Sequence, residues 1–200
     1  TSEIEPMMLF SNYERRVGDF LEYCRNYFTA MQQLGATIFV LHGNKQVVGM
    51  DIDFYCERFG KLAALGKSYG VTVAQENVAR YTSRSLAFLQ QMQQKMGNEV
   101  KFVLDVKQAV RSKEDPMQML QTLGRNIVHV HISDHGEYGD CLPIGAGRFA
   151  VKTFLQTLST ISPNCTVMLE LYRSGFRTLQ DLLHNYHILQ RMIQNCNKEE

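Results

Sequence analysis

The sequence predicts an α/β fold whose strands are parallel. Three observations predict it. Amphipathic helical stretches alternate with short apolar runs along the whole chain. The runs are continuously apolar, as in strands with both faces buried, rather than alternating as in a half-exposed sheet. Helix, strand and glycine punctuation recur with the spacing of consecutive β/α units.

The clearest element is a helix over 12–34. Val17, Phe20, Leu21, Cys24, Tyr27, Phe28, Met31 and Leu34 recur at three- and four-residue steps and paint one apolar face. Ser11 or Asn12 can cap its start, and Gly35 follows its end, where a left-handed residue costs little. The run Ala36–His42 reads as the first strand. The alternation then repeats: helix 51–68 and strand 71–76, helix 83–96 and strand 101–105, helical pieces over 107–123 and strand 126–131, helix 149–160 and strand 166–170. A last helix over 177–195 carries Leu179, Leu182, Leu183, Tyr186, Leu189 and Ile193 on one side. No linker-like or low-complexity tract interrupts the series, so residues 1–200 read as a single domain. Two parallel architectures fit, an open doubly wound sheet and a closed eight-stranded barrel. The glycine-rich fingerprint of dinucleotide binding is missing, since Gly145-Ala-Gly147 is too short and follows no strand directly. Five strands are present where a barrel needs eight, so either the sheet is open or about three leading β/α units are absent from this chain. The chain opens at a threonine in a polar stretch, which reads as a fragment of a longer polypeptide.

Composition limits the function classes. A formal charge of +1 gives no bulk attraction to nucleic acid or an anionic membrane, and no nucleic-acid partner is expected. No apolar run approaches the roughly 18 residues of a membrane span, and no signal-peptide pattern opens the chain. Five scattered cysteines without CxxC spacing read as free thiols in a cytoplasmic protein, with Cys24 and Cys165 serving as small core residues.

The chemistry lies where the strands stop. His42, Glu76, Asp105, His131 and Glu170 each fall at or next to a strand's C-terminal end, 34, 29, 26 and 39 residues apart. In a parallel barrel those ends converge on one mouth, the face that carries active sites. Taken singly, each carboxylate reads equally well as a solvated surface group; the shared register favours a joint role. Two Glu, one Asp and one His offer hard oxygens and an imidazole, suited to one divalent ion among Mn²⁺, Mg²⁺, Co²⁺ and Zn²⁺. His129 is assigned to the strand face opposite His131, as a core or helix-facing residue, and His184 and His187 receive no function.

These residues also carry a resemblance. Leu34-Gly-Ala-Thr-Ile-Phe-Val-Leu-His42, Gln75-Glu-Asn77, Val103-Leu-Asp105, His129-Val-His-Ile-Ser-Asp134, Gly139-Asp-Cys-Leu-Pro-Ile-Gly-Ala-Gly147 and Leu169-Glu-Leu-Tyr172 resemble the xylose isomerase-like TIM barrels. That family includes sugar isomerases and epimerases, inosose dehydratases and AP-endonuclease-type nucleases. The resemblance runs over nearly the whole chain and implies that its strands are the fourth to eighth of a TIM-type barrel. It implies one divalent metal on Glu76, Asp105, His131 and Glu170; Glu76 and Glu170, expected on opposite sides of that metal, can then act as the catalytic proton carriers. The reaction so implied is isomerisation or epimerisation of a sugar, sugar phosphate or hydroxy-ketone through a metal-stabilised enediolate. Substrate contacts are expected from His42, Gln108, Lys107, Asp140 and Arg173. Competing readings are an extra metal ligand or a packed, hydrogen-bonded histidine for His42, a capped surface turn for Asp140 and solvated loops for Lys107 and Arg173. The family's multi-metal nucleases carry histidines at the positions of Gln108 and Cys141; here an amide and a thiol stand there, which disfavours a trinuclear phosphodiesterase site. A dehydratase or nuclease of the same family, or a truncated sugar-binding relative without turnover, is the alternative. The apolar flanks of a partial barrel would permit a homo-oligomer.

Overall fold

A computed structural model describes residues 8–45 and 49–196. Their contacts group into two compact units that divide between Val103 and Leu104, and the boundary falls within a strand.

In the first unit, helix α1, Glu14–Leu34, buries Val17, Phe20, Cys24 and Phe28. Gly35, at φ 68°, ends it in the left-handed region. Its N-cap is Tyr13, which makes no side-chain cap bond, and Ser11 Oγ instead accepts from the Tyr13 N–H at 3.1 Å. The expected cap by Ser11 or Asn12 is therefore not formed. Leu34 is also corrected: it is 83% exposed, and the buried face of the helix ends at Phe28. Strand β1, Ile38–Leu41, precedes helix α2, Ile52–Ser68, whose start Asp51 caps by accepting from the Phe54 N–H at 2.8 Å. Strand β2, Thr72–Glu76, pairs parallel with β1. A 3-10 turn at Thr82–Arg84 leads to helix α3, Leu86–Met96, capped by Ser85, and then to strand β3, Lys101–Asp105. β3 pairs parallel with β2, Glu76 lying opposite Val103. Phe59, Leu62, Val73, Leu89, Met92 and Phe102 fill the space between helices and strands. Gly66 lets α2 touch β2: a Cβ there would sit 2.8 Å from Val73 Cγ2 and 2.9 Å from the Val71 carbonyl oxygen.

The second unit takes the end of β3 into helix α4, Val106–Arg111, and helix α5, Pro116–Leu123, with proline at its first turn and Asp115 as cap. Strand β4, Ile127–Ile132, pairs parallel with β7, Thr166–Leu169. Between them lie a short antiparallel hairpin, β5 (Asp134–Gly136) and β6 (Gly139–Leu142), and helix α6, Val151–Ile161. Helix α7, Leu179–Cys196, is the last described element and packs against α6. The hairpin was not foreseen, since Asp, His, Gly and Glu are poor strand formers. Its cause is Asp134, buried under the loop that follows. Asp134 Oδ1 accepts from the N–H groups of His135 (2.8 Å) and Phe149 (3.0 Å), and Oδ2 from Gly145 (2.9 Å).

Candidate metal centre

Each site residue owes its position to a strand's end. In the first unit, Glu76 closes β2 and His42 follows β1. His42 Nε2 lies 3.0 Å from Glu76 Oε2, and the imidazole meets the Tyr81 ring edge-on, centroids 5.6 Å apart. Gln75, buried beside them, holds both strand ends: its Nε2 lies 3.0 Å from the carbonyl oxygens of Leu41 and His42 and 2.9 Å from that of Glu76, while its Oε1 accepts from Tyr55 Oη at 2.7 Å. The chain can pass this close only because residue 43 is glycine, where a Cβ would lie 1.9 Å from Tyr55 Oη.

In the second unit, Asp105 ends β3 and caps α4, its Oδ1 accepting from the Gln108 N–H at 2.9 Å. Its other oxygen, Oδ2, lies 3.6 Å from His131 Nδ1. That same Nδ1 lies 3.0 Å from Glu170 Oε2, so three electron-pair donors from three strand ends converge. They lie within 4.8 Å of one another. Lys107 adds a cation: its Nζ is 2.5 Å from Glu170 Oε1 and 3.3 Å from Asp105 Oδ2. The electrostatics follow from burial and these neighbours. Burial pushes the Asp105 carboxyl above the ordinary aspartate range, against the pull of His131 and Lys107. Burial works the same way on Glu170, but His131 and Lys107 outweigh it and hold that carboxyl at about 2. Burial disfavours the Lys107 charge, yet Asp105 and Glu170 hold its ammonium protonated above the usual lysine range.

The donor chemistry suits a hard or borderline divalent ion. One imidazole and carboxylate oxygens, mostly buried, are set at contact distances that such an ion would bridge. Glu170 Oε2 is sealed from solvent.

A profile described as "Xylose isomerase-like TIM barrel" matches residues 6–193. The chain belongs to the xylose isomerase-like TIM barrel family. Its fold class is accordingly the parallel β/α barrel of TIM type. Among solved structures, this family member is similar to a D-tagatose 3-epimerase-like protein, with 19% identity and a TM-score of 0.77 over all of this chain and 76% of that one. It is similar also to an L-ribulose 3-epimerase, with 14% identity and a TM-score of 0.71 over 98% of this chain and 74% of that one. A D-psicose 3-epimerase from Clostridium cellulolyticum H10 gives 16% identity and a TM-score of 0.65 over 97% of this chain and 73% of that one. No curated protein matches it by sequence.

The remaining site expectations for this barrel divide. Lys107 does not sit in a solvated loop: it is 3% exposed and committed to two carboxylates. Asp140 is no capped turn: its carboxylate takes two hydrogen bonds from Arg111. Arg173 donates within its own loop, to the carbonyls of Phe176 and Arg177. Gln108 contributes its backbone N–H to Asp105. His129 corrects the sequence reading: its ring lies 5.0 Å from that of His131, edge-on, and its Nδ1 is 2.6 Å from Thr166 Oγ1. Residues two apart on a strand share a face, so the opposite-face assignment misapplied the alternation. Cys165 precedes β7 and is half-buried rather than a core strand residue. Cys141, with φ 56°, donates its Sγ–H to the Glu170 carbonyl at 3.4 Å, and burial raises its pKa, which keeps it a thiol. Arg111 and Tyr172 were missed as site residues; Tyr172 Oη accepts from Arg111 Nη1 at 2.8 Å, beneath the Lys107 ammonium. No local signal identified Arg111, a charged residue on a short helix.

Among the described residues no helix is long and apolar enough to cross a membrane.

Proposed function

We propose that the chain is a divalent-metal-dependent isomerase or epimerase of a small sugar, sugar phosphate or hydroxy-ketone. The single observation that carries the proposal is the convergence of Asp105, His131 and Glu170 from separate strand ends. Glu76 is the proposed fourth ligand. Its support is register: Glu76 pairs with Val103, and Asp105 follows Val103 by two residues on the same strand, so the two carboxylates share one face of the sheet. When bound, a divalent cation there would supply Lewis-acid charge beside a carbonyl and its neighbouring hydroxyl. The chain's own groups do the rest. Glu76 and Glu170 carry the proton: removal by one and return by the other on the opposite face inverts a carbon, and return to the adjacent carbon interconverts aldose and ketose. His42, beside Glu76, is positioned to meet a substrate oxygen. Family membership and the sugar epimerases among the structural neighbours agree with this reading, and residues 1–200 are proposed to act as one domain.

Elemental analysis tests the metal and solvent exchange tests the reaction. The expected results are about one divalent ion per chain, lower occupancy in Glu170→Gln, and deuterium uptake from heavy water into a ketose such as D-tagatose, L-ribulose or D-psicose. A protein that neither retains nor rebinds a divalent ion would end the proposal.

A further inference from the structure

We infer that Lys107 is a built-in cation of this centre, a positioning residue that stabilises the metal-free site and weakens its hold on a metal ion. The inference rests on the metal reading of Asp105, His131 and Glu170 but concerns a residue outside that ligand set.

The carboxylate oxygens around Lys107 are shared among several partners. Asp105 Oδ1 is used by the Gln108 N–H, which leaves Oδ2 for other partners. Lys107 Nζ lies 3.3 Å from that same Oδ2. Glu170 is split likewise: Oε1 faces Lys107 at 2.5 Å and Oε2 faces His131 Nδ1 at 3.0 Å. Lys107 and an incoming cation therefore draw on the same two carboxylates, and Lys107 leaves Glu170 one oxygen for a metal where a free carboxylate would offer two.

Lys107 is also fixed in place. It is the second residue of α4, whose start Asp105 caps, so one short segment sets both the carboxylate and the ammonium. Its Nζ lies 5.0 Å above the centre of the Tyr172 ring, and Arg111 holds the Tyr172 hydroxyl at 2.8 Å. Buried between carboxylates and an aromatic face, the ammonium is not free to reach for a substrate anion.

Electrostatics then gives two consequences of opposite sign. Without metal, Lys107 offsets the repulsion between the buried Asp105 carboxylate and the part-buried Glu170 carboxylate, and its removal leaves them uncompensated. With metal, the same ammonium repels the ion and competes for its ligands. A lysine that served packing alone would affect both states in the same direction.

The test compares wild type with Lys107→Met and with Lys107→Gln, the latter keeping a hydrogen-bond donor to Glu170 if the former does not fold. Thermal melting in excess chelator reads the empty site, and loss of the free Mn²⁺ electron paramagnetic resonance signal reads affinity. The expected result is a lower melting temperature in chelator together with Mn²⁺ binding tighter on the order of tenfold or more, a fraction of the Coulomb energy of a unit charge at this range. Binding gained only by a variant supports the inference too. Equal affinities, or weaker binding alongside lower stability, overturn it and leave the metal reading intact. No Mn²⁺ binding by any of the proteins overturns both.

Discussion

Arg111 grips Asp140 with two parallel hydrogen bonds, Nε to Oδ2 at 2.6 Å and Nη2 to Oδ1 at 2.8 Å. The pair ties α4 to hairpin strand β6, and Arg111 Nη1 extends the tie to Tyr172 Oη behind β7. Three segments around the candidate metal centre are thereby held by one guanidinium, and the planar fork is what lysine could not reproduce at position 111.

Arg111→Lys or Asp140→Asn is expected to destabilise the protein by about 1 kcal/mol, the value of a charge-assisted pair discounted for its partial exposure. Urea denaturation of the two single variants and the double variant checks this. A coupling energy near zero would show that the observed geometry contributes nothing.

The same pair sets a pH dependence. Arg111, chiefly through its hydrogen bonds, holds the Asp140 carboxyl below the ordinary aspartate value. A depressed carboxyl contributes stability that is fully present above the unfolded-state pKa of about 4 and is lost as pH falls through the folded value. Wild type should thus lose more stability than Asp140→Asn on acidification below about pH 4, and the two should run parallel between about pH 5 and 7. Melting temperatures across that range decide it.

Two glycines should respond oppositely to alanine. At Gly147 a Cβ would lie 2.4 Å from both Asp134 Oδ1 and the His135 carbonyl oxygen, inside the loop that Asp134 organises. Gly147→Ala should cost about 1–3 kcal/mol, the range for overpacking a tight site. Gly18 lies within α1 with nothing inside 4 Å of its would-be Cβ, so Gly18→Ala should stabilise by about 0.5–1 kcal/mol. Paired denaturation curves check both signs.

Gln75 offers a fourth expectation. Gln75→Leu removes the donor shared among three strand-end carbonyls and leaves Tyr55 Oη without its acceptor, a loss of about 2–3 kcal/mol. Tyr55→Phe, which deletes the buried bond to Gln75 Oε1 and keeps the Gln75 donor in place, should cost about 1 kcal/mol. Equal losses in a thermal or urea comparison would contradict the ordering.

The alternation of helices and apolar strands, and the placement of Glu76, Asp105, His131 and Glu170 at strand ends, were legible in the sequence because both follow from local periodicity. Backbone geometry sets 3.6 residues per helical turn and two per strand repeat, so a window of ten or so residues carries the whole signal. The His129 face was legible by the same rule, correctly applied. What only the tertiary structure decided are the partners of charged side chains. Lys107 meets Glu170 across 63 residues of chain, and Arg111 meets Asp140 across 29. Hairpin β5–β6 belongs with them, since it forms around a buried Asp134 rather than from strand-forming residues. A lysine's or arginine's long stem lets it either reach water or fold back onto a carboxylate, and burial against distant segments, absent from any local pattern, selects between the two.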